Sequence, residues 1–391
     1  MLTKMPAIHQ LKNHAPVATG LLIGAGGLNE WTGVGLVTWL ILYLRKTWQQ
    51  SWPKLYWQDS IVVAISILWI CYSAYNDLLQ TSDDTGLTAN EGIKIMFWSL
   101  FGLSMTRCSR NNFFGTINGI AIGIGLFALA TTIGALSAQP FQGSRGLIYN
   151  IFTGDIGAGS TYVAYACIAS TLLLTLTNNK LAWIGSITCV TLGIQAINRH
   201  SLVVGIATLI FLAINEFQWV LAGRRTKKEL LPIQIIGIII VLLSIWIYHS
   251  LDLNELSIRA IHRLQDFSGS DARINIYATG YDLLGKSIRD NNFELLQDVN
   301  KAVTRGNPNW WHSLPLDSAR AFGWLGLLLS VVWLGGIAKG MVNSSRRRSN
   351  YIFVGLLTLL TLLTSIPLGL GGYELLGSLT LTQAILSSDK A

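Results

Sequence analysis

Charge is scarce in this chain. Only 12% of its 391 residues are charged and 51% are hydrophobic, a balance that excludes an ordinary soluble domain. Mean hydropathy is +0.46, and apolar runs reach the ~20 residues needed to cross a bilayer. Cysteine is nearly missing too. Cys71, Cys108, Cys167 and Cys189 all fall in or beside apolar runs, with no metal-ligand spacing and no paired extracellular positions, so neither a disulfide framework nor a zinc site is indicated. There is no Gly-x-x-x-x-Gly-Lys phosphate loop, no paired-histidine zinc motif and no outer Asp-x-Asp pair to hold a divalent metal on a diphosphate. Carboxylates within the apolar runs are almost absent: Asp77 and Glu374 lie near run ends, and Lys94 sits just inside one, which argues against a proton-coupled transporter. No repeat, low-complexity linker or separate soluble domain is visible. The first apolar run is not followed by a small-residue cleavage site, so it reads as a retained span.

What is present points to an all-α, polytopic helical bundle of about twelve spans, a single integral-membrane domain over 1–391. Apolar runs place spans near 16–29, 31–44, 59–79, 92–106, 113–136, 159–177, 181–197, 201–222, 231–249, 318–338, 350–368 and 373–387. Several of the 14 tryptophans, Trp31, Trp39, Trp57, Trp98, Trp219, Trp324 and Trp333 among them, lie near span ends; interfacial anchoring and plain packing both account for that position. The net charge of +8 is spread between spans rather than gathered in one stripe, which fits membrane orientation and not nucleic-acid binding.

With the N-terminus inside, cytoplasmic loops hold Arg45, Lys46, Lys54, Arg107, Arg110, Lys180, Arg224, Arg225, Lys227, Lys228, Lys339, Arg346, Arg347 and Arg348, and the short outer loops hold only Arg145 and Arg199. That asymmetry follows the positive-inside rule. It puts the long polar stretch at 250–317, between spans nine and ten, on the outer face. Leu253, Leu256, Ala260, Leu264 and Phe267 recur there at helical spacing opposite Glu255, Arg259, His262, Arg263 and Asp266, which predicts an amphipathic surface helix. A second helix is expected over Ala272–Ile288, started by the Ser268-Gly269-Ser270-Asp271 turn.

Four residues stand out chemically. Arg199, in Asn198-Arg199-His200-Ser201 between two spans, is costly beside hydrocarbon unless it is paired or snorkels to the headgroups; a guanidinium there suits a diphosphate through its bidentate fork. Arg273, at the start of the second loop helix, either adds to that anion site with the helix N-terminus or pairs with Asp271 or Asp266. Arg145, in Gln142-Gly143-Ser144-Arg145-Gly146, is a further ligand or an exposed loop arginine. His312, in Trp310-Trp311-His312-Ser313-Leu314, has the pKa range of a general base, and Trp310 and Trp311 suit the faces of sugar rings; the competing reading is an interfacial histidine bonded to backbone. Arg259, His262 and Arg263 are further candidates for substrate contact in the same loop.

The order of these motifs resembles the O-antigen ligase and polymerase superfamily of bacterial envelope glycosyltransferases. The likeness covers most of the chain: about twelve spans, an arginine at the outer turn between the seventh and eighth, and a large outer loop holding an Arg-containing helix. A histidine then stands shortly before a Gly-x-x-Gly span, here Gly323-Trp324-Leu325-Gly326. The resemblance implies an inverting transfer, independent of metal or other cofactor, from an undecaprenyl-diphosphate-linked glycan to a hydroxyl of lipid A-core or of another lipid-linked glycan. Arg199, Arg273 and Arg145 would hold the diphosphate and His312 would act on the acceptor hydroxyl, at the periplasmic face of a bacterial inner membrane. Two departures stand in this sequence: Ser313 follows the histidine where many members have asparagine, and the Pro and Gly usual after the loop helix are missing around Ser287–Phe293. Ligase is the leading expectation and polymerase its same-fold rival. A lipid-linked glycan flippase, the alternative of another class, would need polar residues lining a path through the spans.

Overall fold

The structure, a computed structural model, describes residues 16–24, 110–137, 148–149, 156–157, 160–195, 199–221, 272–296, 311, 313–344 and 349–364. In chain order the elements are α1 (16–24), α2 (Arg110–Ser137), strands β1 (Ile148–Tyr149) and β2 (Ile156–Gly157), α3 (Ser160–Leu176), α4 (Ala182–Gln195) and α5 (Arg199–Leu221). Then come α6 (Ala272–Asp290), a 3₁₀ turn (Phe293–Leu296), α7 (Leu314–Ser344) and α8 (Ser349–Thr364). Among the described residues the fold is helical, apart from the two-residue antiparallel pairing of β1 with β2. Helices lie at seven of the expected spans and at the second loop helix. The expected runs at 31–44, 59–79, 92–106, 231–249 and 373–387, and the amphipathic stretch from Leu253 to Phe267, lie outside the described residues.

The chain divides into two compact units, residues 128–171 with 180–271, and residues 1–127, 172–179 and 272–391. In the first of these, α4 and α5 pack antiparallel and approach closely at two glycines. A Cβ on Gly193 would lie 2.6 Å from the amide nitrogen of Leu202, and one on Gly205 would lie 2.9 Å from the carbonyl of Ser186. Small residues of this kind let apolar helices approach backbone to backbone. Ser201 donates to the carbonyl of Cys189 at 2.8 Å across the same contact. Against the other side of α4, Thr171 and Cys189 meet at 3.3 Å, and the Cys189 and Cys167 sulfurs are also 3.3 Å apart. Hydroxyls elsewhere are absorbed by the helices themselves: Ser186, Thr188 and Thr208 each bond the carbonyl four residues back.

α5 is the one described helix long and apolar enough to cross a membrane, over His200–Phe217. Val203, Ile206, Ile210, Ile214 and Phe217 form a single stripe along it and are 44–61% exposed. The helix begins two residues earlier than its apolar run, so Arg199 is its first residue rather than part of a loop.

In the other unit, α1 and α2 run parallel and meet through glycines. A Cβ on Gly20 would strike the Thr116 carbonyl, one on Gly24 the Ile120 carbonyl, and one on Gly119 the Val17 carbonyl. Gly20-x-x-x-Gly24 and Gly115-x-x-x-Gly119 thus face each other, the close-packing arrangement known from apolar helix pairs. A polar cluster ties helix ends together: Thr177 donates to Asn118 Oδ1 at 2.6 Å, Asn179 Nδ2 donates to the same oxygen at 3.2 Å, and Asn350 Nδ2 donates to the Thr175 carbonyl at 3.0 Å. α3 stops at a left-handed Asn178 (φ 55), with the Asn179 amide bonded back to the Leu174 carbonyl at 2.9 Å, which satisfies carbonyls the helix end would otherwise leave open.

Candidate functional site

α6 is amphipathic. Ile276, Gly280, Leu284 and Ser287 are buried along one face, and Tyr281, Asp282, Lys286 and Arg289 are exposed on the other. An Asp282–Lys286 pair at 2.8 Å supports the exposed side, worth about 0.2–0.5 kcal/mol at that helical spacing. The buried face closes on the 3₁₀ turn and the first turns of α7, so that Ile276, Leu284, Leu296, Trp311, Leu316 and Ala319 share one apolar cluster.

Trp311 is its centre and is fully buried. Its indole N–H donates to the Leu296 carbonyl at 3.0 Å, and its ring lies so close to α6 that a Cβ on Gly280 would come within 2.7 Å of ring carbon Cε3. The backbone here is tied to one carboxylate: the Trp311 amide donates to Asp317 Oδ1 at 2.9 Å and the Ser313 amide to Oδ2 at 3.2 Å. The Ser313 hydroxyl, itself buried, meets the phenol of Tyr281 at 3.1 Å, joining α6 to the residue after position 312.

The far end of α6 is closed without proline or glycine. Asn291 takes the left-handed conformation (φ 49), and the Asn292 amide bonds back to the Ser287 carbonyl at 3.0 Å, because asparagine tolerates this backbone region better than other side-chain-bearing residues. Asn291 Oδ1 then accepts from the Trp324 indole at 2.7 Å, and the Trp324 ring meets Phe293 edge-on at 5.4 Å. Trp324 directly follows Gly323, where α7 is broken by a backbone conformation (φ 59, ψ −135) that only glycine adopts without strain.

Of the residues singled out by sequence, Arg273 is the second residue of α6, three before the buried Ile276, and Arg199 opens α5 in the other unit. His200, next to it, lies 6.3 Å from the ring of Tyr165 in a tilted arrangement. His312, Arg145, Arg259, His262, Arg263 and Trp310 lie outside the described residues. Trp311 corrects an expectation: read as an aromatic face for sugar, it is wholly enclosed by protein and serves as the anchor of the loop. Sequence reasoning missed Tyr281, Gly280 and Asp317. Asp317 had a faint signal in Ser313-Leu314-Pro315-Leu316-Asp317, a helix start whose acidic residue is one place beyond the usual capping-box spacing. No protein-family model matches the chain, and no curated protein matches it.

Proposed function

We propose that this chain is an inner-membrane glycosyltransferase of the O-antigen ligase type, with about twelve spans and its reacting groups on the periplasmic side. The observation that carries the reading is the docking of the polar helix α6 onto the start of α7, which fixes the backbone on both sides of His312 through Trp311 and Ser313. A base held against an acceptor needs such a rigid support, whereas a flippase has no use for one at this place. The helix directions support the topology. α1 and α2, taken as the first and fifth spans, run parallel, and α4 and α5, taken as the seventh and eighth, run antiparallel. The exposed apolar stripe on α5 fits contact with lipid.

In this reading the family resemblance assigns the diphosphate of an undecaprenyl-linked glycan to Arg199, Arg145 and Arg273, the last in the first turn of α6, where a helix N-terminus favours anions. Arg259, His262, Arg263 and Trp310 belong to the same outer loop and contact the glycan. His312 takes the proton from an acceptor hydroxyl of lipid A-core as that oxygen bonds to the anomeric carbon. The bond from this carbon to the diphosphate oxygen breaks, its electron pair leaves with the diphosphate, and the guanidinium groups offset the growing charge.

Transfer assays with purified protein, lipid-linked polysaccharide and lipid A-core test this. Ligated product is expected in the presence of a chelator, and His312→Ala is expected to lose about 10²–10⁴-fold in rate while still binding donor. Chain growth from donor alone would assign the polymerase reaction instead. Folded wild-type protein that transfers glycan to neither acceptor refutes the reading. A cysteine placed at Asp282, whose side chain is 63% exposed, is expected to react with an impermeant maleimide before the inner membrane is opened. Labelling only afterwards refutes the topology.

A further inference from the structure

We infer that Asp317 is a positioning residue for His312, acting through the backbone amides of the residues on either side of it; the inference rests on the functional reading above. The Asp317 carboxylate is 1% exposed, and one of its oxygens accepts from the Trp311 amide at 2.9 Å while the other accepts from the Ser313 amide at 3.2 Å. Its own amide donates to the Ser313 carbonyl at 2.9 Å, closing the first turn of α7. The two bound amides are two residues apart, and the peptide units between them are those that carry position 312. A single carboxylate therefore holds the residues on both sides of position 312.

Capping alone does not account for this arrangement. A side chain in the first turn that reaches back to the residue preceding a helix, here Ser313, completes a cap. The bond to Trp311 lies two residues further out and satisfies no group of the helix. Burying a carboxylate is costly unless charge-assisted bonds compensate it; the two amide bonds do so here, and in doing so they fix the backbone of Trp311 and Ser313. The same segment is held from α6 by the Tyr281–Ser313 contact at 3.1 Å and by the Trp311 indole bond to Leu296 at 3.0 Å. A base displaced by ~1 Å loses on the order of 10²-fold in rate, and that is the scale of effect expected when the carboxylate is removed.

The test uses the full-length protein in lipid nanodiscs, with Asp317→Ala and the isosteric Asp317→Asn, which retains one acceptor oxygen and keeps the question open should the alanine variant fail to fold. Amide hydrogen exchange at 311 and 313 is expected to be slow in wild type, faster in Asp317→Asn and fastest in Asp317→Ala. Transfer at saturating substrate is expected to fall in the same order, by about 10²-fold for alanine, with the donor KM unchanged. Unaltered exchange at 311 and 313 overturns the clamp. Faster exchange with wild-type transfer overturns the positioning role, as does a loss in which donor KM rises in step with the fall in rate, the pattern of general unfolding. Wild-type protein inactive with every acceptor would refute the transferase reading and, with it, any positioning for transfer. The exchange measurement needs no substrate and still decides whether Asp317 holds the two amides.

Discussion

Two glycines five residues apart on α6 carry opposite predictions for the same substitution. Gly280 is buried, and a Cβ there would lie 2.7 Å from both Leu316 Cδ1 and Trp311 Cε3. The indole cannot swing away cheaply, because it is fully enclosed and its N–H is bonded to the Leu296 carbonyl. Gly280→Ala gains about 1 kcal/mol of helix propensity and incurs an overpacking cost of about 1–3 kcal/mol. The net effect is a loosening of α6 by about 1 kcal/mol, a factor of roughly five in the open population. At Gly285 nothing lies within 4 Å of the added carbon, so Gly285→Ala keeps only the propensity gain of about 1 kcal/mol and closes the helix by a similar factor. Tryptic cleavage after the exposed Lys286 and Arg289 reads this opening whenever reclosing outpaces the protease. The rates are expected in the order Gly280→Ala, wild type, Gly285→Ala. Slower cleavage of Gly280→Ala than of wild type would refute the close contact between α6 and Trp311.

Gly119→Leu is expected to separate α1 from α2, since its side chain must enter space held by the Val17 carbonyl and the Leu21 amide; a melting temperature in detergent unchanged from wild type would speak against that pairing. Cys167 and Cys189, with sulfurs 3.3 Å apart, are expected to be joined by a membrane-permeant oxidant in a chain carrying Cys71→Ala and Cys108→Ala. Protease digestion between α3 and α4 would then leave one linked band, and two separable fragments would refute the packing of these helices. Gly323→Ala is expected to cost about 1–3 kcal/mol through its backbone conformation alone, given that the nearest atom to an added Cβ is 3.5 Å away. Unchanged thermal stability of that variant would mean that α7 runs unbroken.

The helices were legible where an apolar run ends in a polar group, because burial and lipid contact both follow the same periodicity. Arg110 and Arg199 show the limit of that signal: each is the first residue of its helix, since a helix continues past its apolar portion as long as its backbone bonds are satisfied. Ala272–Ile288 was readable from its capping turn, but its stop was not, since Asn291 does the work usually given to glycine. In the candidate site, Trp311 was legible as important and misread in kind. Composition marks an aromatic residue near a membrane surface, and only the packing of Gly280 against its ring shows that it faces inward. Asp317 reaches residues four and six positions back, of which only the faint helix-start pattern reports, and Tyr281 acts through a residue 32 positions away, beyond any local pattern.

The break at Gly323 turns the first part of α7 into a short lever. Ten residues separate it from Ser313, about 15 Å at helical rise. Rotating that piece by 10° would therefore carry Ser313 sideways by more than about 2 Å, and holding it to within ~0.5 Å confines the rotation to about 2°. Leu316 and Ala319 lie on one side of the joint and Leu327 on the other, and all three touch the α6 assembly. The Trp324 indole bond to Asn291 and its edge contact with Phe293 fasten the lower side. α6 is thus a splint laid across a hinge, and alteration of Trp324 would be felt as an error of angle at Ser313, eleven residues away.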